Sequence, residues 1–473
     1  MKIALLPIAL VLMAGCATFQ PKPISPAQTA SDFEARTLDN PGLKRFMEAN
    51  LGHEISSWPP KTWDCTLLTL AAFYYHPDLD VARARWGVAE AGKITAGQSP
   101  NPSFGFLPRY STNPPSGISP WYLAFNLDIP IETAGKRGYR IELAGYLAEA
   151  ARLNIAGAAW QVRSRLNKRL LDLYAANRTG AILSQKLAVQ EETRKALERR
   201  LAHGEASQPD VTEARLSLEH LRFSLLEAQR QAAQARVQLA DALGLTAEAL
   251  AGVEISFDSL ERITPASKLP VPELRRQALL ARPDIMAALA RYDASQSALQ
   301  LEIAKQYPDV HLGPGYLWDQ GQNWWSLGLS AILPIFNQNQ GPIAEAEARR
   351  RSEAAAFTAF QAKVIGEIDH ALTGYCAALQ KLEAADSLLP IQGKKLQSTR
   401  ALHNAGETDR LALLSAQLEL ETATLSRLNA LVDVQQSKRV LEDAVQHPLG
   451  PVAPLELVVV PDMSPRTKED YSK

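Results

Sequence analysis

The feature that most limits how this chain can fold is that it repeats itself. HPDLDVARARWGVAEAGK at 76–93 has a counterpart in RPDIMAALARYDASQSAL at 282–299, with Pro77-Asp78 answering Pro283-Asp284 at an offset of 206. Pro102 answers Pro308 at the same offset, Pro130 answers Pro334 at 204, and Gly204-Glu205 answers Gly406-Glu407 at 202. Four anchors in one order, with a slowly drifting offset, describe a tandem duplication of roughly 200 residues. Whatever the first half builds, the second half builds again.

Each half follows one plan. A helix comes first, over Lys61–Gln98 and again over Pro272–Gln306. Two strands follow, Ser103–Tyr110 and Trp121–Ile131, then Asp309–Trp318 and Trp325–Phe336, joined through the loop signals STNPPSGISP and DQGQN. In WYLAFNLDIPI the residues Trp121, Leu123, Phe125, Leu127 and Ile129 fall on one face, and Tyr122, Ala124, Asn126 and Asp128 on the other. WWSLGLSAILPIF alternates in the same way. A period of two with aromatics near the strand ends is the pattern of a membrane barrel strand, with Trp121, Trp318, Trp324 and Trp325 as an interfacial girdle. The alternative for such strands is a half-buried sheet in a soluble domain.

Then the period changes. No proline interrupts 131–208, and Leu143, Leu147, Leu153, Leu166, Leu170 and Leu173 keep near-heptad spacing. The spacing predicts one helix over Lys136–Leu201, on the order of 100 Å long and suited to coiled-coil packing. It ends at Gly204, and a second helix returns over Asp210–Leu243. In the second half Ile343–His403 runs out, with a kink expected at Pro390, and Asp409–Gln446 runs back. The expected divisions are a signal peptide at 1–15, an N-terminal segment at 16–60, repeats at 61–243 and 272–446, a connector at 244–271 containing the strand candidate VEISF, and a tail at 447–473 in which Leu457–Val460 is a candidate edge strand.

The N-terminus sets the compartment. Met1-Lys2 precedes a short apolar run and then Gly15-Cys16, which has the form of a secretory signal too short to span a bilayer. The ending LMAGC resembles a bacterial lipobox in which Cys16 becomes the lipidated N-terminus, and Ala17 after it favours outer-membrane sorting by that resemblance. Met13 departs from the usual leucine, and plain secretion with an incidental cysteine is the alternative. Cys65 and Cys376 are too few and too far apart for a disulfide framework. With 50 Lys+Arg against 51 Asp+Glu, there is no basic excess for nucleic acid, and Arg349-Arg350-Arg351 reads as a solvated helix face. No later segment has the length of a transmembrane helix, so any crossing is made by strands.

Four strands cannot close a barrel, and an open edge in lipid leaves backbone groups unpaired. Several chains must then share one barrel, and three would supply twelve strands with twelve long helices below them. At this point the chain resembles the TolC-type outer-membrane efflux factors. The resemblance rests on the duplicated proline-marked strand pairs, the LPIFNQNQG passage into the third long helix, and the tips GEASQPDVTEARL and GETDRLALLSAQL. No single motif is specific; their order and duplication are. It implies a mainly α fold with a small β part, a homotrimer with a barrel in the outer membrane and an α-barrel in the periplasm, and an equatorial domain from the connector and termini. It further implies a passive exit duct without cofactor, whose hairpin tips dock on a periplasmic adaptor bound to an inner-membrane pump of the RND or ABC type. Carried over, the tip residues are Gly204, Glu205, Asp210 and Val211, then Gly406, Glu407, Leu411 and Leu413. Some members of that family close the periplasmic mouth with two aspartates in the second tip helix. The matching positions here are Ala412 and Ser415, and acidic residues sit instead at Asp210 and Glu213 of the first repeat.

Two rival classes share parts of this pattern. For an enzyme there is no nucleophile elbow, phosphate loop or His-Glu-x-x-His, and Glu367, Asp369, His370 and Cys376 do not converge on a metal site. The other rival is a coiled-coil structural lipoprotein of the envelope without a channel. It shares the helices but has no need of alternating strands with aromatic ends.

Overall fold

The computed structural model describes residues 19–449. Cys16 and the candidate strand Leu457–Val460 lie outside the described residues. The first half runs through α1 (Pro26–Glu34), α2 (Pro41–Leu51), β1 (Thr62–Trp63), α3 (Cys65–Tyr75), α4 (Pro77–Ala96), β2 (Ser103–Tyr110), β3 (Trp121–Ile131), α5 (Lys136–Ala202) and α6 (Gln208–Leu243). A connector carries β4 (Glu254–Ile255) and α7 (Asp258–Glu261). The second half runs through α8 (Val271–Ala281), α9 (Pro283–Ala304), β5 (Val310–Asp319), β6 (Gln322–Ala331), α10 (Gln340–Asn404) and α11 (Arg410–Val445). The chain is mainly helical with a small β part, built on one plan twice.

Two expectations need correction. The single helices expected over Lys61–Gln98 and Pro272–Gln306 are each two helices, cut one residue before Pro77 and Pro283. A proline ring clashes with a helical residue before it and brings no N–H. His76 and Arg282 accordingly sit in extended conformations, at φ −71°, ψ 123° and φ −59°, ψ 129°. Proline at the first position suits the helix that follows. The last strand was expected to reach Phe336 but stops at Ala331, because its partner strand begins at Val310, opposite Ala331, and offers nothing further to pair with. Pro334 therefore lies beyond β6, whereas its counterpart Pro130 lies inside β3. α10 is one continuous helix through Pro390.

α5 is 67 residues long and forms because its sequence is rich in strong helix formers, reinforced by near-neighbour ion pairs such as Arg152–Glu149 and Arg194 with Glu191 and Glu198. It is also the shared wall of two cores. Leu166, Leu170 and Leu173 pack with Leu68, Leu79 and Leu239 of the first repeat. One position along, Leu171 and Tyr174 pack with Ile368, Tyr375 and Val434 of the second. Polar links cross the same boundary: the Trp160 Nε1–H donates to Asp443 at 2.9 Å, and buried Arg163 meets buried Glu442 at 3.4 Å.

The N-terminal segment and the connector are fastened to the first core. β1 pairs in parallel with β4. Arg36 donates to the carbonyls of Tyr75 and Gly244 at 2.8 and 3.1 Å. Gly244 ends α6 with φ +73°, and a Cβ there would stand 2.8 Å from the Tyr75 carbonyl oxygen. Both its conformation and its neighbours require glycine.

The four longer strands form one antiparallel sheet in the order β2-β3-β5-β6, leaving β2 and β6 as edges. Gln320 and Gly321 both have positive φ, the two-residue hairpin turn that DQGQN announces. Among the described residues no helix is long and apolar enough to cross a membrane.

Candidate functional site

The register of the sheet sorts its side chains into two unlike faces. Phe106, Phe125, Tyr316 and Trp325 stand opposite one another in a row across all four strands. Their rings touch in sequence, with centroids 4.7, 6.1 and 4.9 Å apart. Tyr110 and Trp121 add a second contact at 5.0 Å toward the hairpin end. The same face carries Phe104, Leu123, Leu127, Ile129, Leu312, Leu327 and Leu329, with Asn323 opposite Trp318 at the hairpin end and no charged residue. The opposite face carries Gly105, Asn126, Gly315 and Ser326 in register. Asp128 lies diagonally across from His311, whose Nδ1 is 3.0 and 3.1 Å from the two carboxylate oxygens.

The aromatic girdle needs a correction here. Trp121, Trp318 and Trp325 lie on the apolar face, but Trp324 pairs with Leu317 and points to the polar one. Successive residues of a strand face opposite sides, so two adjacent tryptophans cannot share a face.

Where strands become helices, Lys136 is the pivot. Its Nζ donates to the Tyr307 carbonyl at 2.6 Å and to Asp309 at 2.7 Å, and Asp309 also accepts the Thr133 amide at 3.0 Å. Arg140 pairs with Glu132. In the second repeat, Asn339 donates to the Glu302 carbonyl at 2.7 Å. The polar groups of this corner are thus tied to one another across both repeats.

At the far end, the hairpin tips repeat one construction. The Glu205 amide reaches back to the Arg200 carbonyl at 2.8 Å, and the Glu407 amide to Leu402 at 2.9 Å, over glycines with φ +75° and +77°. Each return helix is then capped. Ser207 and Asp210 form a reciprocal capping box, and Asp409 accepts the Ala412 amide at 2.9 Å. The bonds from Ser207 hold the Asp210 carboxyl below its usual range. The Ala412 amide, and after it the Arg200 guanidinium, do the same for Asp409.

The tip residues named from the sequence divide by exposure. Glu205, Asp210, Glu213 and Glu407 are exposed and Leu411 is half-buried. Val211 and Leu413 retain 1 % and 4 % exposure, so they are packing residues of the hairpins and offer no surface. Sequence reasoning missed the ion pairs between the tips, Arg200–Asp409 at 2.7 Å and Arg410–Glu192 at 2.5 Å. The one local sign of them is Asp409 itself, an N-cap residue placed just before the apolar run LALLSAQL. The group considered for a metal is dispersed: Asp369 pairs with Arg275, and Glu367 with Arg282 and Lys363.

A twofold repeat in which a sheet with one largely apolar, uncharged face leads into helical hairpins of this length defines a barrel-and-coiled-coil channel subunit. The chain belongs to the outer membrane efflux protein family, whose model matches residues 72–245 and 274–445, one segment in each repeat. It is 26 % identical over 321 residues to the cobalt-zinc-cadmium resistance protein CzcC of Cupriavidus metallidurans, covering 67 % of this chain and 75 % of that one. To the cation efflux system protein CusC of Escherichia coli it is 25 % identical over 265 residues, 54 % of this chain and 56 % of the relative. The fold matches the outer membrane protein VceC of Vibrio cholerae with a TM-score of 0.66 at 21 % identity, covering 82 % of this chain and 97 % of the other. This is an efflux component of the outer membrane, and the reading as a structural spacer without a channel is set aside.

Proposed function

We propose that three copies close into a duct that passively conducts substrate from the periplasm to the exterior. The observation that carries this is the four-stranded sheet, apolar on one face and open at both edges. In lipid, each unpaired edge group costs several kcal/mol, of order 2–7. Pairing β2 of one copy with β6 of the next removes every edge at once. The apolar face then meets lipid, with Trp121, Trp318 and Trp325 near a boundary, and the polar face lines the lumen. The long hairpins continue the tube into the periplasm, and Cys16 carries a lipid anchor.

The tips are the docking points for a periplasmic adaptor, itself bound to an inner-membrane pump. Glu205 and Glu407 offer exposed acidic groups there, beside Gly204 and Gly406, and Leu411 supplies an apolar edge. Asp210 and Glu213 border the same mouth. The cargo that the names of CzcC and CusC suggest is a metal cation, selected by the pump.

The test is a heat-modifiable trimer that conducts ions in a planar bilayer. A monomer that extracts without detergent and gives no conductance would sink the proposal. For the tips, cysteines at Glu205 and Glu407 should crosslink to a co-expressed adaptor, and an intact trimer that crosslinks at neither site overturns the docking.

A further inference from the structure

On the polar face of the sheet, charge is confined to two levels. Arg109 and Asp319 lie at the hairpin end, and Asp128 with His311 near the helical end. Between them stand only uncharged side chains such as Asn126, Gly315 and Ser326. Below Asp128 and His311 lies a cavity of about 740 Å³, lined by His311 together with Glu132, Lys136, Arg140, Lys305 and Asp309. β3 supplies Asp128, and the turn after it supplies Glu132, which is paired with Arg140. The start of β5 supplies Asp309, paired with Lys136 of α5. α9 supplies Lys305, neutralised by Glu302, and β6 places Ser330 opposite, without charge. Three carboxylates, Asp128, Asp309 and Glu132, thus face two cations, Lys136 and Arg140. Among the described residues one negative charge is left over at this level in each chain, and it sits on Asp128 against the His311 imidazole.

We infer that Asp128 and His311 form a cation-selectivity ring at the base of the barrel lumen, switched off when His311 takes up a proton. This rests on the trimeric duct reading, which brings three such pairs to one level of the pore. A ring of like charges in a narrow, low-dielectric passage concentrates the opposite ion and sets permeability. With the imidazole neutral, the ring carries three uncompensated negative charges and favours inorganic cations. With the imidazole protonated, each chain's surplus is cancelled and the preference disappears. His311 bonds to Asp128 through Nδ1, so protonation of the ring can occur without losing that contact.

The experiment is the reversal potential of the purified full-length trimer in a planar bilayer under a potassium chloride gradient, at about pH 8 and about pH 5. The wild-type duct should prefer potassium at the higher pH, with the permeability ratio falling about threefold or more on acidification. His311→Gln, which cannot take the proton, should keep its preference at both values. Asp128→Asn should lack it already at the higher pH. A wild-type ratio that does not move between the two pH values overturns the inference, as does a shift that survives in His311→Gln or a preference that survives in Asp128→Asn. A trimer that conducts nothing overturns the duct reading and the ring with it, whereas conduction with a pH-independent ratio overturns the ring alone.

Discussion

Arg200, in the last turn of α5, donates to the Asp409 carboxylate at 2.7 Å and ties the tip of the first hairpin to the tip of the second. The two residues stand 209 positions apart, one in each repeat. Asp409 does two jobs, since the same carboxylate caps α11 through the Ala412 amide.

The two jobs separate by mutation. Arg200→Gln removes the ion pair and leaves the cap, and should cost under about 1 kcal/mol, the range of an exposed pair. Asp409→Ala loses both and should cost about 1 kcal/mol more through the cap. Hydrogen exchange would show faster opening at both tips in Arg200→Gln, and additional fraying of the first turn of α11 only in Asp409→Ala. Equal exchange in the two variants would show that the cap adds nothing beyond the pair, and wild-type exchange in Arg200→Gln that the pair contributes nothing at the tips.

Acid should release the tips late. Because Asp409 is held below its ordinary value in the folded chain, its contribution is complete above the unfolded pKa and is lost as the pH falls through the lowered folded one. A nitroxide placed at Ala405 should therefore stay restricted through the ordinary aspartate range and loosen only below it. The same label in Asp409→Asn should show no acid transition. A transition at the ordinary aspartate value would contradict the assignment.

Adjacent tryptophans should report different solvents. In variants that keep a single tryptophan among the sheet positions, Trp325 is expected to be quenched by brominated lipid and Trp324 by aqueous acrylamide. Trp325 is 82 % exposed in the chain, and in the proposed barrel that exposed ring meets lipid. Identical quenching of the two would mean that the sheet does not separate lipid from lumen.

Gly244 should tolerate no side chain. Alanine there meets the Tyr75 carbonyl at 2.8 Å and must hold φ +73°, which together cost on the order of 2 kcal/mol. Thermal unfolding followed by circular dichroism should show a lowered midpoint for Gly244→Ala. An unchanged midpoint would show that α3 and α6 can separate at this corner without penalty.

Much of the fold could be read from the residues because its elements are made by local rules. The alternation in WYLAFNLDIPI places β3, the uninterrupted run after Ile131 places α5, and Gly204 and Gly406 place both tips. Helical composition on both sides of Pro77 and Pro283 hides the breaks that these prolines make, and the apolar alternation of β6 continues past Ala331 after its partner has ended. Val211 and Leu413 looked like surface because they sit in a tip, and only the opposite helix shows that they are covered.

By itself, then, the sequence determined the duplication, the order of helices and strands, and the two-faced character of the sheet, because hydrogen bonding along a helix and side-chain alternation along a strand depend on near neighbours. Only the tertiary structure decided that α5 serves two cores, that Trp324 turns away from Trp325's partners, that Arg200 meets Asp409, and that His311 meets Asp128 across 183 residues. Those contacts join distant segments. Their existence depends on strand register and helix packing angle, and one residue of slip would turn the side chains to the other face.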